Sequence, residues 1–283
     1  MMDRNMIFHI DRLIKMTLEE DIGSGDVTTS FLMNTNQIYE AEVKAKGSFI
    51  LAGLEVMGRV FQTLDHRIEM DALCSDGVLL PEGTRIALVR GPLAMLLCGE
   101  RVALNFLQRL SGIATLTNRY VSLVRDLDVK IVDTRKTAPG FRALDKYAVR
   151  VGGGSNHRFG LYDGILIKDN HIKASGSIKR AVHSVRMKAP HTLKIEVETS
   201  TIQEVREAIE CDVDIIMVDN MSLETIRSAV ELIRGRALVE ASGGITLENV
   251  RAVAQTGVDL ISVGEITHSV KAPDISMKLL SPI

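Results

Sequence analysis

Several absences narrow the field before any motif is considered. The three cysteines, Cys74, Cys98 and Cys211, stand far apart, with no CxxC pair and no Cys/His spacing of a metal site. There is no basic excess: 34 Lys and Arg stand against 36 Asp and Glu, giving a formal charge of -2 and a pI near 6.4. Proteins that track phosphate backbones carry such an excess, which argues against a nucleic-acid partner and makes any anion site local. No apolar run approaches a bilayer span, so no membrane partner is expected. The opening MMDRNMIFHIDRL mixes charges among its apolar residues and lacks a signal-peptide core, which predicts a cytoplasmic protein. No GxGxxG follows the first strand of the C-terminal part, so the dinucleotide fingerprint is missing.

What is present divides into two unlike parts. With 283 residues, 46% of them hydrophobic, the chain exceeds a usual single domain and can fill a sizeable core. In the first part, IFHIDRLIKMTLEED has helical periodicity and GSGDVT makes a loop. IYEAEVKAKGSFILAG reads as strand, GLEVMGRVFQTL as a short helix, and GVLLPEGTRIALVRG as paired strands around a Pro-Glu-Gly turn. A long helical stretch follows, PLAMLLCGERVALNFLQRLSGIATLTNRYVSLVRDL, with Gly99 and Gly112 as its expected division points. Beyond it, the apolar runs VKIVD, GILIK, LKIEVE, DIIMVD, ALVEAS and DLISVG alternate with amphipathic helices. Near-continuous apolar runs at βα spacing describe parallel strands buried on both faces, in a (β/α) barrel or a doubly wound sheet; with the dinucleotide fingerprint missing, a barrel with fewer than eight strands is favoured.

In such a barrel, chemistry gathers at the C-terminal ends of the strands. Asp133 ends the first run and leads to Arg135 and Lys136. Lys168 ends the second, followed by Asp169, Asn170 and His171. Glu196 and Glu198 end the third, Asp219 and Asn220 the fourth, and Glu240, Ser242, Gly243 and Gly244 the fifth. The sixth reaches Gly264, with Glu265 and His268 beyond. Polar residues also end strands merely because the chain is leaving the core, so the expectation of a shared mouth rests on the whole set. SGGIT after a strand, opening a helix, favours backbone N–H groups facing a phosphate over glycines that merely make a tight βα turn, and VGEITHS repeats the pattern. Glu198 and Asp219 end neighbouring strands. Their oxygens suit Mg²⁺ held mainly by substrate and water, and they suit equally a base or a partner for Lys168.

The stretch DTRKTAPGFRALDKYAVRVGGGSNHR, residues 133–158, concentrates six Arg and Lys and one His against two carboxylates. Arg135 and Lys136 follow a strand and belong to the mouth. His157 and Arg158 follow a triple glycine able to return them to it. Arg142, Lys146 and Arg150, four residues apart, predict one solvated helix face. Forked Arg donors suit carboxylates and phosphates, so the expected ligand is a small, multiply charged anion.

The same block, continued through FGLYDGILIKDNH, resembles the quinolinate phosphoribosyltransferase family. The resemblance extends through IEVET, IIMVDN, EASGGIT and VGEITHSVKAPDISM, and upstream through EEDIGSGDVTT and GERVALNFLQRLSGIAT. It implies an α/β fold in which an incomplete (β/α) barrel, residues 106–267, stands beside a smaller N-terminal α/β sandwich domain, residues 1–105, rejoined by the tail 268–283. It implies condensation of quinolinate with phosphoribosyl pyrophosphate to nicotinate mononucleotide, pyrophosphate and CO₂, with Mg²⁺ as cofactor and a homodimer with shared active sites. Arg135, His157, Arg158 and Lys168 would hold quinolinate, joined by Arg101 from the other subunit. Lys136, Glu198, Asp219, Ser242, Gly243, Gly244, Gly264 and His268 would serve phosphoribosyl pyrophosphate. Lys136, Lys168, Glu198 and Asp219 would be catalytic, and Glu198 and Asp219 would touch Mg²⁺ or the ribose hydroxyls. Two rival enzymes are a paralogue of altered pyridine specificity and a phosphate-binding barrel aldolase using Lys168. An RNA or acidic-protein binder would call for aromatics among the cations, and only Phe141, Tyr147 and Phe159 qualify.

Overall fold

The computed structural model describes residues 4–32 and 37–282; residues 1–3 of the opening segment, residues 33–36 and residue 283 of the tail lie outside the described part. In chain order, α1 (Arg4–Ile22) and α2 (Val27–Leu32) lead to β1 (Ile38–Ala45), β2 (Phe49–Ile50) and α3 (Leu54–Leu64). Next come β3 (Glu69–Ala72), β4 (Leu79–Leu80), β5 (Arg85–Pro92) and the 31-residue α4 (Leu93–Leu123). Then follow β6 (Lys130–Val132), α5 (Arg142–Val151), β7 (Ile165–Ile167), α6 (Asp169–Ser175), α7 (Ile178–Arg186), β8 (Ile195–Thr199) and α8 (Ile202–Glu210). The chain closes with β9 (Ile215–Asp219), α9 (Leu223–Ile233), β10 (Leu238–Ser242), α10 (Val250–Ala254), β11 (Leu260–Ser262), α11 (Glu265–His268) and β12 (Ile275–Pro282). Two compact units result. One holds the described residues of Met1–Leu116, Ala138–Gly153 and Ser269–Ile283, and the other Thr117–Thr137 and Gly154–His268.

The first unit is built on an antiparallel sheet in the order β12-β1-β5-β3. Period-two alternation buries Ala41, Val43 and Ala45 on one side of β1. In α1, Ile10, Ile14 and Leu18 recur one turn apart as the buried stripe. The C-terminal strand β12 pairs with β1, from Ala45 opposite Ile275 to Tyr39 opposite Pro282. The Pro-Glu-Gly turn does not join a hairpin. β4 pairs with β2 and β5 lies between β1 and β3, because β5 is long enough to fill the sheet centre while Leu79–Leu80 is not.

Two further expectations are corrected here. Gly99 and Gly112 do not divide α4. Both are sites of close packing: a Cβ at Gly99 would lie 2.9 Å from the Phe61 ring, and one at Gly112 2.6 Å from the Lys271 carbonyl oxygen. The expected division at 105/106 therefore falls inside an unbroken helix, and the units part at 116/117. Secondly, α5 is not a solvated face along Arg142, Lys146 and Arg150. Arg150 is exposed, but Lys146 is 1% exposed, and its neighbour Asp145 is fully buried against Arg109 at 2.7 Å. Residues 138–153 thus loop out of the second unit's sequence to complete the first.

The second unit is a six-stranded, all-parallel sheet in the order β6-β11-β10-β9-β8-β7, the six apolar runs of the sequence. Six strands match the expected incomplete barrel. Ser155 adds a parallel bridge to Val132, its N–H donating to the Ile131 carbonyl and its own carbonyl accepting from Asp133 N–H. The connecting helices bury one apolar stripe each, such as Val205, Ala208 and Ile209 of α8, which begins with a Thr201–Glu204 capping box.

Candidate active site

Side chains alternate along a strand, and the register aligns Glu198 with Met217 and Met217 with Glu240. One face of the sheet therefore carries Glu196 and Glu198 of β8, Met217 and Asp219 of β9, Glu240 and Ser242 of β10, and Ser262 of β11. Carboxylates rarely sit in buried strands without partners. Where each finds one defines the site.

Lys168, just past β7, forms a close ion pair with Glu198, its own N–H donating to His171 Nδ1 at 3.0 Å. At the ends of β9 and β10, Asn220 donates to Asp219 Oδ2 at 2.7 Å, and its backbone N–H donates to the Ser242 carbonyl at 2.9 Å. Asn220 also packs so closely on Gly243 that a Cβ there would lie 2.2 Å from its Oδ1. Gly243 and Gly244 turn the chain with φ of 87° and 61°, and Gly244 faces open space. No helix starts at SGGIT: α10 begins only at Val250 and has five residues, so the expected helix-dipole contribution is missing. After β11, a Cβ at Gly264 would meet the Lys136 side chain at 3.1 Å and the His268 ring at 3.2 Å, which brings those three predicted residues together. Thr267 Oγ1 donates to the Lys136 carbonyl at 2.7 Å. Tyr120, fully buried, donates to Glu265 Oε2 at 2.5 Å and so anchors the first residue of α11.

Asp133 does not face a ligand. Fully buried, it accepts from Asn156 Nδ2 at 2.6 Å and from His157 N–H at 2.9 Å, pinning the loop that carries His157 and Arg158. The Arg158 guanidinium donates to the Gly164 carbonyl at 2.9 Å; burial, then the nearby charge of Arg135, lowers its pKa. Arg135 and Lys136 are exposed. Arg101 lies on α4 in the first unit, also exposed. Behind the loop, His157 Nε2 stands 3.1 Å from Glu196 Oε2 and 3.5 Å from Glu240 Oε2. Burial first, and the adjacent Glu196 charge second, push the Glu240 carboxyl up to about 7.

That shift has a testable sign. Between the ordinary value of 4.5 and about 7, the folded chain keeps the Glu240 proton that the unfolded chain releases, so stability falls as pH rises through this window. Glu240→Gln should remove a pH-dependent term on the order of 3 kcal/mol between acid and neutral pH. Denaturant unfolding of both proteins at several pH values measures it, and parallel curves would refute it.

Glu196, Glu240, Asp133, Asn156, Tyr120 and Glu265 were not assigned roles from the sequence. A visible signal existed for two of them: a Glu inside the apolar runs IEVE and LVEAS has to be accounted for by a buried partner.

Fold and strand ends together define an α/β protein with ionisable side chains gathered at the C-terminal ends of a parallel sheet. Residues 26–111 match the N-terminal domain of quinolinate phosphoribosyl transferase and residues 113–278 match its C-terminal domain. The probable nicotinate-nucleotide pyrophosphorylase [carboxylating] of Bacillus subtilis is 50% identical over 268 residues, 95% of this chain and 92% of that protein. Its counterpart from Synechocystis is 46% identical over 96% of this chain and 92% of its own length. The crystal structure of NadC from Streptococcus pyogenes superimposes with a TM-score of 0.94 at 43% identity, covering 98% of each chain. The chain belongs to the quinolinate phosphoribosyltransferase family.

Proposed function

We propose that the chain joins quinolinate to phosphoribosyl pyrophosphate and releases pyrophosphate and CO₂ to give nicotinate mononucleotide, a step of NAD biosynthesis. The observation that carries this reading is the likeness, over nearly the whole length, to relatives named for that activity. The chemistry of the strand ends supports it. In the first step the pyridine nitrogen attacks the ribose carbon, and the bond to pyrophosphate breaks with its electron pair leaving on oxygen. Glu198 and Asp219 favour the cationic sugar carbon. Arg135, Arg158 and Lys168 hold the quinolinate carboxylates, with His157 behind them, so that attack is largely a matter of positioning. Lys136 and His268, both against Gly264, serve the phosphoribosyl pyrophosphate, whose 5-phosphate lies at Ser242, Gly243 and Gly244. In the second step the bond to the carboxylate beside the ring nitrogen breaks. Its electron pair remains on the ring carbon next to the cationic nitrogen, CO₂ departs, and that carbon takes a proton from water. No Schiff base is required, and Lys168 acts as a charge.

Mg²⁺ belongs to the proposal, and the hard oxygens at these strand ends fit it. Asp219 would hold it together with substrate oxygens, the charge of Glu198 being already answered by Lys168. When bound it supplies neutralisation of the departing pyrophosphate. The protein is proposed to work in the cytoplasm as a homodimer; among the described residues no helix is long and apolar enough to cross a membrane. Incubation with quinolinate, phosphoribosyl pyrophosphate and Mg²⁺ should yield nicotinate mononucleotide and CO₂, and chelation should stop turnover. No product from quinolinate, or equal turnover of nicotinate, would overturn the reading. Arg101 is proposed to reach the other subunit's site. Mixing Arg101→Ala with Arg135→Ala subunits should then restore activity at one site per hybrid dimer, and failure to do so argues against shared sites.

A further inference from the structure

The cluster behind the substrate loop has a composition that suggests a metal: His157, Glu196 and Glu240 place one ligand atom each within 4.8 Å of one another. The hydrogen bonds argue otherwise. His157 Nδ1 lies 2.8 Å from the Arg158 backbone N, which is a donor, so Nδ1 must be the unprotonated acceptor. A neutral imidazole with a bare Nδ1 carries its proton on Nε2, and a protonated Nε2 cannot ligate. That Nε2–H points at Glu196 Oε2 at 3.1 Å. Glu240, 0% exposed, has beside its carboxyl the Ser262 hydroxyl and, at 3.5 Å, His157 Nε2, and an uncompensated second charge there would be costly. Burial, and then the nearby Glu196 charge, push the Glu240 carboxyl up to about 7, and Glu196 Oε2 is the carboxylate oxygen nearer to His157 Nε2.

We propose that Glu196 is a positioning residue: by accepting the Nε2–H of His157 it selects the tautomer whose Nδ1 accepts the Arg158 backbone N–H, and so sets Arg158 against the quinolinate carboxylates. This rests on the quinolinate reading above. Asp133, accepting from Asn156 and from His157 N–H, holds the same turn from its other side. His157 thereby acts through Arg158, since both of its ring nitrogens have protein partners.

Nitrogen-15 NMR of histidine-labelled protein, with the His157 signals assigned by a His157→Gln variant, should report an unprotonated Nδ1 and a protonated Nε2. An Nδ1–H tautomer, an imidazolium, or ligation of stoichiometric Zn²⁺ at Nε2 would overturn the proposal. Glu196→Ala should raise KM for quinolinate about tenfold and leave KM for phosphoribosyl pyrophosphate within about threefold. Glu196→Gln, which keeps an acceptor oxygen, should recover most of the loss and the wild-type tautomer. Equal impairment of the two variants, or an unchanged KM for quinolinate in both, would also refute it. If Glu196→Ala does not fold, the tautomers of wild type and Glu196→Gln decide the matter. A wild-type protein with no turnover would remove the quinolinate reading while the tautomer measurement still decided the Glu196–His157 link.

Discussion

Replacing Lys168 by alanine lowers kcat/KM for quinolinate by about a hundredfold or more while leaving the folded protein nearly as stable as before. The two halves of this expectation have separate causes. The Lys168 side chain is 45% exposed, so its ion pair with Glu198 is screened by solvent and worth about 1 kcal/mol at most to folding. In the proposed mechanism, however, the ammonium would be a fixed positive charge where the quinolinate carboxylates bind and a carbanion forms. Losing one preoriented electrostatic group of that kind costs about 10²–10³ in rate. Lys168→Arg keeps the charge but replaces a compact point donor with a planar fork, so recovery should be partial. Steady-state kinetics beside denaturant unfolding read both halves. A loss of activity matched by a loss of stability would assign Lys168 to the fold. A borohydride-trapped adduct of a carbonyl substrate at Lys168 would instead support the aldolase chemistry that the sequence alone left open.

Gly243→Ala is the second large effect, expected in both stability and use of phosphoribosyl pyrophosphate. With φ at 87°, any Cβ is strained, at about 1–3 kcal/mol. The added carbon would also lie 2.2 Å from Asn220 Oδ1, so the Asn220 side chain has to move. Asn220 donates to Asp219, so the disturbance passes directly to a carboxylate of the site. The expected result is a loss of more than about 2 kcal/mol together with a raised KM for phosphoribosyl pyrophosphate. Gly244→Ala is the control for stability. Its φ of 61° is also left-handed, but the space around it is open, so the cost should stay near 1–2 kcal/mol. Equal destabilisation by the two variants would mean that the close Asn220 contact adds nothing to the cost of a Cβ at Gly243.

Much of this was legible in the order of the residues. The runs VKIVD, GILIK, LKIEVE, DIIMVD, ALVEAS and DLISVG are six strands of one parallel sheet, and at their ends Lys168 pairs with Glu198 and Asn220 with Ser242. Lys136 and the neighbouring pair Gly264 and His268, far apart in the chain, do meet. Other features were not legible. Nothing local distinguishes Lys146, buried, from Arg150, exposed, on the same helix. The Pro-Glu-Gly turn promised a hairpin because turn chemistry is local, whereas β5 found its partners in β1 and β3.

The amino-acid order by itself determined the alternation of strand and helix, the placing of charge at strand ends and the membership of the family. The first two follow from periodicity and turn preference, which act over a few residues, and the family follows from the resemblance of whole motifs. Only the tertiary structure decided which carboxylate answers which cation, and that residues 133–137 and 154–158 belong to one unit while 138–153 complete the other. It also decided that the ring nitrogens of His157 bond to protein. Those outcomes depend on which distant groups exclude water together, and hydrogen-bond satisfaction in a buried site is a property of the assembled neighbourhood.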